Sequence, residues 1–204
     1  MTAAASACRI CLVTPPVFVP AAFAPLLGRA IGAADVAAVR LRMPGASVAE
    51  RAAAAAALRA VTNRADVALL LDDDPALAMQ FGCDGVHVRA GDVAAARRIV
   101  GTGVSVGAAC GWSRDAAMSA AEAGADYVAF GPATEAGEAG RQAIADWSLA
   151  MVVPCVVAGG IDASSAPGWA AAGADFLAVG RAVWQAPAGP EAALRDLARG
   201  LRGG

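Results

Sequence analysis

A short phrase recurs four times in this chain: a glycine, one or two small residues, an aspartate, then an apolar run. It reads Gly32-Ala-Ala-Asp35 before Val36 to Arg42, Gly82-Cys-Asp84 before Gly85-Val-His-Val88, Gly124-Ala-Asp126 before Tyr127-Val-Ala-Phe-Gly131, and Gly173-Ala-Asp175 before Phe176-Leu-Ala-Val-Gly180. The aspartates stand 49, 42 and 49 residues apart (35 to 84, 84 to 126, 126 to 175). A fixed period of this kind marks one structural unit used several times. Further apolar runs, Arg9 to Thr14, Val67 to Leu71, Val104 to Gly107 and Cys155 to Ala158, lie between the repeats. Each interval between runs holds one helical pattern. Ser47-x-x-Glu50 is a capping box before Arg51 to Ala60, Pro75 follows Asp73-Asp74, and Ser113 precedes Arg114 to Ala123. Short continuous apolar strands alternating with helices require a parallel sheet buried on both faces. About eight such units close better as a (β/α)8 barrel than as an open sheet, and residues 1–204 are expected to form that one domain.

Composition narrows what the barrel does. Hydrophobic residues make up 58% and charged residues 17%, which excludes a disordered chain. A formal net charge of −2 with scattered basic residues argues against a nucleic-acid partner. No apolar run of membrane-spanning length escapes proline, glycine or charge, and residues 1–8 lack the basic start and apolar core of a secretory signal, so the expected location is cytoplasmic. Five cysteines suggest no disulfide framework in that setting, and Cys8-x-x-Cys11 has no second pair or histidine cluster to complete a zinc site.

In such a barrel the chemistry belongs at the carboxyl ends of the strands. Gly159-Gly160 after the seventh strand, and Gly180-Arg181 after the eighth, would expose backbone N–H groups able to cradle a phosphate. A plain tight turn accounts for the same glycines. Asp73 and Asp92 fit either of two roles: two carboxylates holding one Mg²⁺, or helix N-caps, with capping favoured on residue type. His87, the one histidine, suits a ring-binding residue or a hydrogen-bonded core histidine. Arg42 suits a diphosphate grip or a rim ion pair. The four tryptophans are expected to pack.

The order of motifs resembles the thiamine phosphate synthase family, over about Arg9 to Trp184. The matching segments are Gly82-Cys-Asp-Gly-Val-His-Val-Arg-Ala90, Gly124 to Pro132, and Val157 to Ile161. That resemblance implies joining a pyrimidine alcohol diphosphate to a thiazole phosphate with loss of diphosphate. By position it implies that Asp73 and Asp92 hold Mg²⁺, Arg42 meets the diphosphate, His87 lies near the pyrimidine, and Gly159, Gly160, Gly180 and Arg181 hold the thiazole phosphate.

Departures gather in the diphosphate half. The family's Gln-Leu-Arg-Glu-Lys is Arg40-Leu-Arg-Met-Pro44 here, and its Asn-Asp-Arg is Asp72-Asp73-Asp74. Its serine after strand five is Ala109, and its lysine after strand six has no match within Ala133 to Gly140. A weakened or altered activity is therefore expected, with an acidic wall facing the diphosphate and Arg40, Arg89 or Arg141 as substitute cations. The alternatives are a barrel that binds thiazole phosphate or thiamine phosphate without turnover, and a thiazole-tautomerase-like enzyme. The latter's histidine position is Gly111. An unrelated phosphate-sugar isomerase or lyase is disfavoured, because no suitable lysine, glutamate or Cys-Asp pair stands at the strand ends. Monomer and homo-oligomer both remain open.

Overall fold

A computed structural model describes residues 8–202. Eight strands, β1 (Arg9–Val13), β2 (Val36–Leu41), β3 (Ala68–Asp72), β4 (Gly85–Arg89), β5 (Ser105–Gly111), β6 (Tyr127–Phe130), β7 (Cys155–Ala158) and β8 (Phe176–Val179), form a closed barrel in chain order. All neighbours pair in parallel, including β1 with β8. The connections run through α1 (Pro20–Ile31), α2 (Val48–Ala65), α3 (Pro75–Gln80), α4 (Val93–Val100), α5 (Arg114–Glu122), α6 (Gly137–Ala150) and α7 (Ala166–Ala171). A short α8 (Arg181–Trp184) and a closing α9 (Pro190–Arg202) follow β8. No helix among the described residues is long and apolar enough to cross a membrane.

Strand alternation separates two cores. Outward residues such as Leu12, Val39, Leu69, Val106, Val128, Val157 and Leu177 are fully buried under the helices. Each such side chain removed from water contributes roughly 1.5–3 kcal/mol. Inward residues are small: Cys11, Ala38, Ala129, Val156, Ala158 and Ala178 pack with Tyr127 and Phe176. Trp147 and Trp169 lie buried in the outer layer, and the indole of Trp184 donates to the Val13 carbonyl (2.7 Å). Cys8 packs with the outer layer and Cys11 with the inner one, where burial pushes the Cys11 thiol up to about 11.

The repeated aspartate now has a physical role at the foot of the barrel. Asp84 donates its N–H to the Leu69 carbonyl (2.9 Å) while its carboxylate accepts the N–H of Leu69 (2.7 Å). Asp126 does the same with Val106 (2.8 and 2.7 Å), and Asp175 with Cys155 (3.1 and 2.8 Å). Asp35 varies the theme by pairing with the Arg9 side chain at 3.0 Å. Each aspartate thus locks an even strand to the odd strand before it, which explains a period of two β–α units. The glycine two residues earlier takes φ of 60°, 96° and 99° at Gly82, Gly124 and Gly173, ending the helix so that the next strand can start.

Candidate active site

At the carboxyl ends of the strands, inward alternation carries Arg40 on β2, Asp72 on β3 and His87 on β4 to the barrel mouth. A hollow of about 200 Å³ there is lined by Arg40, His87, Ala109, Ala129, Ala158 and Gly159, among others. A larger hollow of about 480 Å³ lies between α1 and α2, away from the strand ends. The mouth is the candidate site because it alone gathers charge on inward-facing strand residues.

Arg40 and Asp72 form a two-pronged ion pair, Nε to Oδ1 at 2.6 Å and a terminal nitrogen to Oδ2 at 2.7 Å. Both side chains are nearly buried, at 14% and 10% exposure. Burial pushes the Asp72 carboxyl up, and the Arg40 hydrogen bonds oppose it. Burial also opposes the charge on Arg40, yet the bonds and attraction of Asp72 outweigh it and hold the guanidinium proton more tightly than usual. Arg42 stands 3.8 Å from the same carboxylate but is half exposed. Its backbone is clamped by Thr14, whose hydroxyl oxygen accepts the Arg42 N–H at 3.1 Å.

His87 is 3% exposed, and Nδ1 lies 3.0 Å from the Tyr127 hydroxyl. Burial first, then the charges of Arg40 and Arg42, push its pKa well below 6.5, so the ring is neutral near neutral pH. Both sequence readings of this residue meet: it is a satisfied buried histidine and also part of the wall of the mouth.

Neither side chain makes the capping bond favoured for Asp73 and Asp92, although Asp92 does stand at the N-cap position of α4. Asp74 caps α3, its carboxylate accepting the Leu77 N–H at 3.0 Å, and Asp92 makes no cap bond to α4. Asp73 adopts φ 58°, a left-handed conformation that a non-glycine residue holds at a cost of about 1–2 kcal/mol. It is pinned by its N–H to the His87 carbonyl at 2.9 Å. Among the described residues neither Asp73 nor Asp92 joins an ion pair, and both are exposed. Together with Arg89 they line one hollow of about 420 Å³ that runs between Pro75 of α3 and Ala95, Ala96 and Ile99 of α4 and shares no lining residue with the mouth. Two hard, uncommitted carboxylates on neighbouring loops suit Mg²⁺, which takes one or two carboxylates plus substrate oxygens.

The expected acidic wall is likewise not there. Asp72 is neutralised by Arg40, and Asp74 is paired with Arg51 at 2.9 Å. Two of the expected substitute cations are occupied: Arg40 by Asp72, and Arg141 by Glu138, with its guanidinium 5.8 Å above the Trp169 ring. Arg89 is exposed in the carboxylate hollow. All sixteen basic residues of the chain are arginines, so the missing lysines are a property of the whole sequence as well as of the site.

The glycines converge on the opposite side. Gly159 (φ 85°) and Gly160 (φ 83°) follow β7 directly beneath the loop at 132–134, which is held by the Trp112 indole donating to the Pro132 carbonyl at 2.9 Å. A Cβ on Gly159 would lie 2.7 Å from Pro132 Cβ, and one on Gly160 would strike Thr134 Cγ2. Among the described residues the N–H groups of Gly159, Gly160 and Gly180 donate no backbone hydrogen bond. Gly180 differs from the other two, with a negative φ of −145° at ψ −83°, and lies close to the Val13 carbonyl. Arg181 follows, exposed, at the start of α8. Gly111, the last residue of β5, presents no side chain to the mouth.

Known proteins share the sequence and the fold of this chain. The family model for thiamine monophosphate synthase matches residues 10–183. A thiamine-phosphate synthase of Rhodospirillum centenum is 48% identical over 204 residues, 96% of this chain and 99% of that protein. One of Hyphomonas neptunium is 40% identical over 92% of this chain and 90% of its own length. The fold is shared with the thiamine phosphate pyrophosphorylase of Pyrococcus furiosus, with a TM-score of 0.84 at 24% identity, covering 97% of this chain and 96% of that one. With its motifs matched across nearly the whole barrel, the chain belongs to the thiamine monophosphate synthase family.

Proposed function

We propose that this protein joins a pyrimidine alcohol diphosphate to a thiazole phosphate. The bond between the pyrimidine methylene carbon and the diphosphate oxygen breaks, and its electron pair leaves with diphosphate. The thiazole nitrogen then donates its lone pair to the methylene cation, forming the carbon–nitrogen bond. The observation that carries this reading is the pair of uncommitted carboxylates, Asp73 and Asp92, on the loops after β3 and β4 and lining one hollow.

Asp73 and Asp92 hold Mg²⁺ in this reading. Mg²⁺ held there would neutralise charge that builds on the departing diphosphate. Arg42 and Arg89 add cationic donors to diphosphate oxygens, replacing lysines with arginine's forked geometry. His87 lies against the pyrimidine as a neutral ring. Its low pKa keeps a second positive charge away from the place where the methylene cation forms. The Arg40–Asp72 pair adds no net charge there either. The free N–H groups of Gly159, Gly160 and Gly180, with Arg181, hold the thiazole phosphate.

The test is turnover of the two precursors with and without Mg²⁺. Diphosphate and thiamine phosphate should appear in equal amounts, and Asp92→Asn should lower the rate by about 100-fold or more. Absence of product at enzyme concentrations matching the substrates overturns the proposal. Calorimetric binding of thiazole phosphate without product would replace it with a ligand-binding barrel.

A further inference from the structure

The end of the barrel opposite the mouth contains a second cavity. It has a volume of about 210 Å³ and is walled by the inward residues Ala38, Ala68, Leu70, Tyr127, Val156 and Phe176. Two close approaches roof it. Tyr127 lies flat across Gly107, where any Cβ would collide with the ring, and Leu70 crosses Gly85, whose Cβ would lie 2.6 Å from the leucine methyl. These side chains separate the cavity from the mouth, and the two hollows share no lining residue.

Its lining is mostly apolar and carries no unpaired charge, with the Ser105 hydroxyl and the Cys11 thiol as its further polar groups. At the rim Arg9 is paired with Asp35. The Tyr127 hydroxyl is already engaged with His87, and Leu70, Val156 and Phe176 offer a water molecule no hydrogen bond. Water against that apolar wall lacks the two to four partners that hold it in place, whereas apolar cavities of about 150 Å³ take up benzene. Displacing poorly held water with an apolar group favours binding.

We propose that the foot of the barrel is a binding site for a neutral, single-ring apolar molecule, separate from the catalytic mouth. Tyr127 forms its wall and carries occupancy to His87 through their 3.0 Å contact. A volume of about 210 Å³ admits one ring and excludes a nucleotide or a phosphorylated two-ring product.

Fluorobenzene titrated into the full chain and followed by ¹⁹F NMR tests this. One saturable site is expected, with a shift of the ring resonances of His87, the single histidine of the chain. Ala68→Leu and Ala38→Leu each fill the cavity and should weaken binding at least tenfold and abolish the His87 shift, while thermal melts confirm folding. Ala68→Val serves if either leucine variant fails to fold. No saturable binding up to the solubility limit overturns the proposal. So does binding that survives in the filled variants, since the ring would then occupy the mouth.

Discussion

Removing one partner of the Arg40–Asp72 pair isolates a charge inside the barrel. The two hydrogen bonds of 2.6 and 2.7 Å and exposures of 14% and 10% place this pair among buried ion pairs. Losing one member of such a pair costs about 3–5 kcal/mol, most of it from the unpaired charge left behind. For a domain of this size each kcal/mol moves the melting temperature by about 2–4 °C, so Arg40→Gln or Asp72→Asn should lower it by roughly 6–20 °C. The double variant puts two amides where the family resemblance expects them. With no stranded charge, it should recover to within about 1 kcal/mol of the parent. Urea unfolding of the parent, both single variants and the double variant gives the coupling energy directly. A double variant as unstable as the sum of the singles, or single variants that cost less than 1 kcal/mol, would refute the reasoning.

Gly160→Ala combines a left-handed φ of 83° with a collision at Thr134. Stability should fall by about 1–2 kcal/mol or more, and calorimetric affinity for thiazole phosphate should drop with it. The pH dependence of stability follows from His87. Its folded pKa lies below 6.5, so as pH falls past 6.5 the unfolded chain takes up a proton that the folded one refuses. Stability present above pH 6.5 is then lost by up to about 1.4 kcal/mol per pH unit, and His87→Gln should flatten that part of the urea-derived profile. Asp84→Ala removes the carboxylate that accepts the Leu69 N–H and pairs with Arg59. It should cost about 1–3 kcal/mol in unfolding experiments, while leaving KM for both substrates unchanged.

The barrel was legible because its evidence is local and repeated: glycine ends a helix, aspartate precedes a strand, and the period covers two units. What the aspartate does was not legible. Its bonds to Leu69, Val106 and Cys155 span 15 to 20 residues and join strand to strand. At the mouth, residue types marked the right strand ends but not how their charges are spent. Asp72-Asp73-Asp74 read as one acidic block, yet Arg40 reaches the first from 32 residues away and Arg51 takes the third from 23. Only Asp73 is left over, held apart by a backbone turn that residue type does not reveal. Capping was misassigned by one position for a related reason: Pro75 fixes the first turn of α3, and that makes Asp74 the cap. In the sequence Tyr127 only opens an apolar run, and its reach to His87 depends on Gly107, which stands between them in register on β5 and leaves room for the ring.

The most direct measurement is a crystal structure of the protein soaked with Mg²⁺ and diphosphate. The account predicts a metal ion with carboxylate oxygens of Asp73 and Asp92 at about 2.0–2.1 Å and diphosphate oxygens completing its shell. Diphosphate bound elsewhere, or a metal ion that engages neither carboxylate, would contradict it.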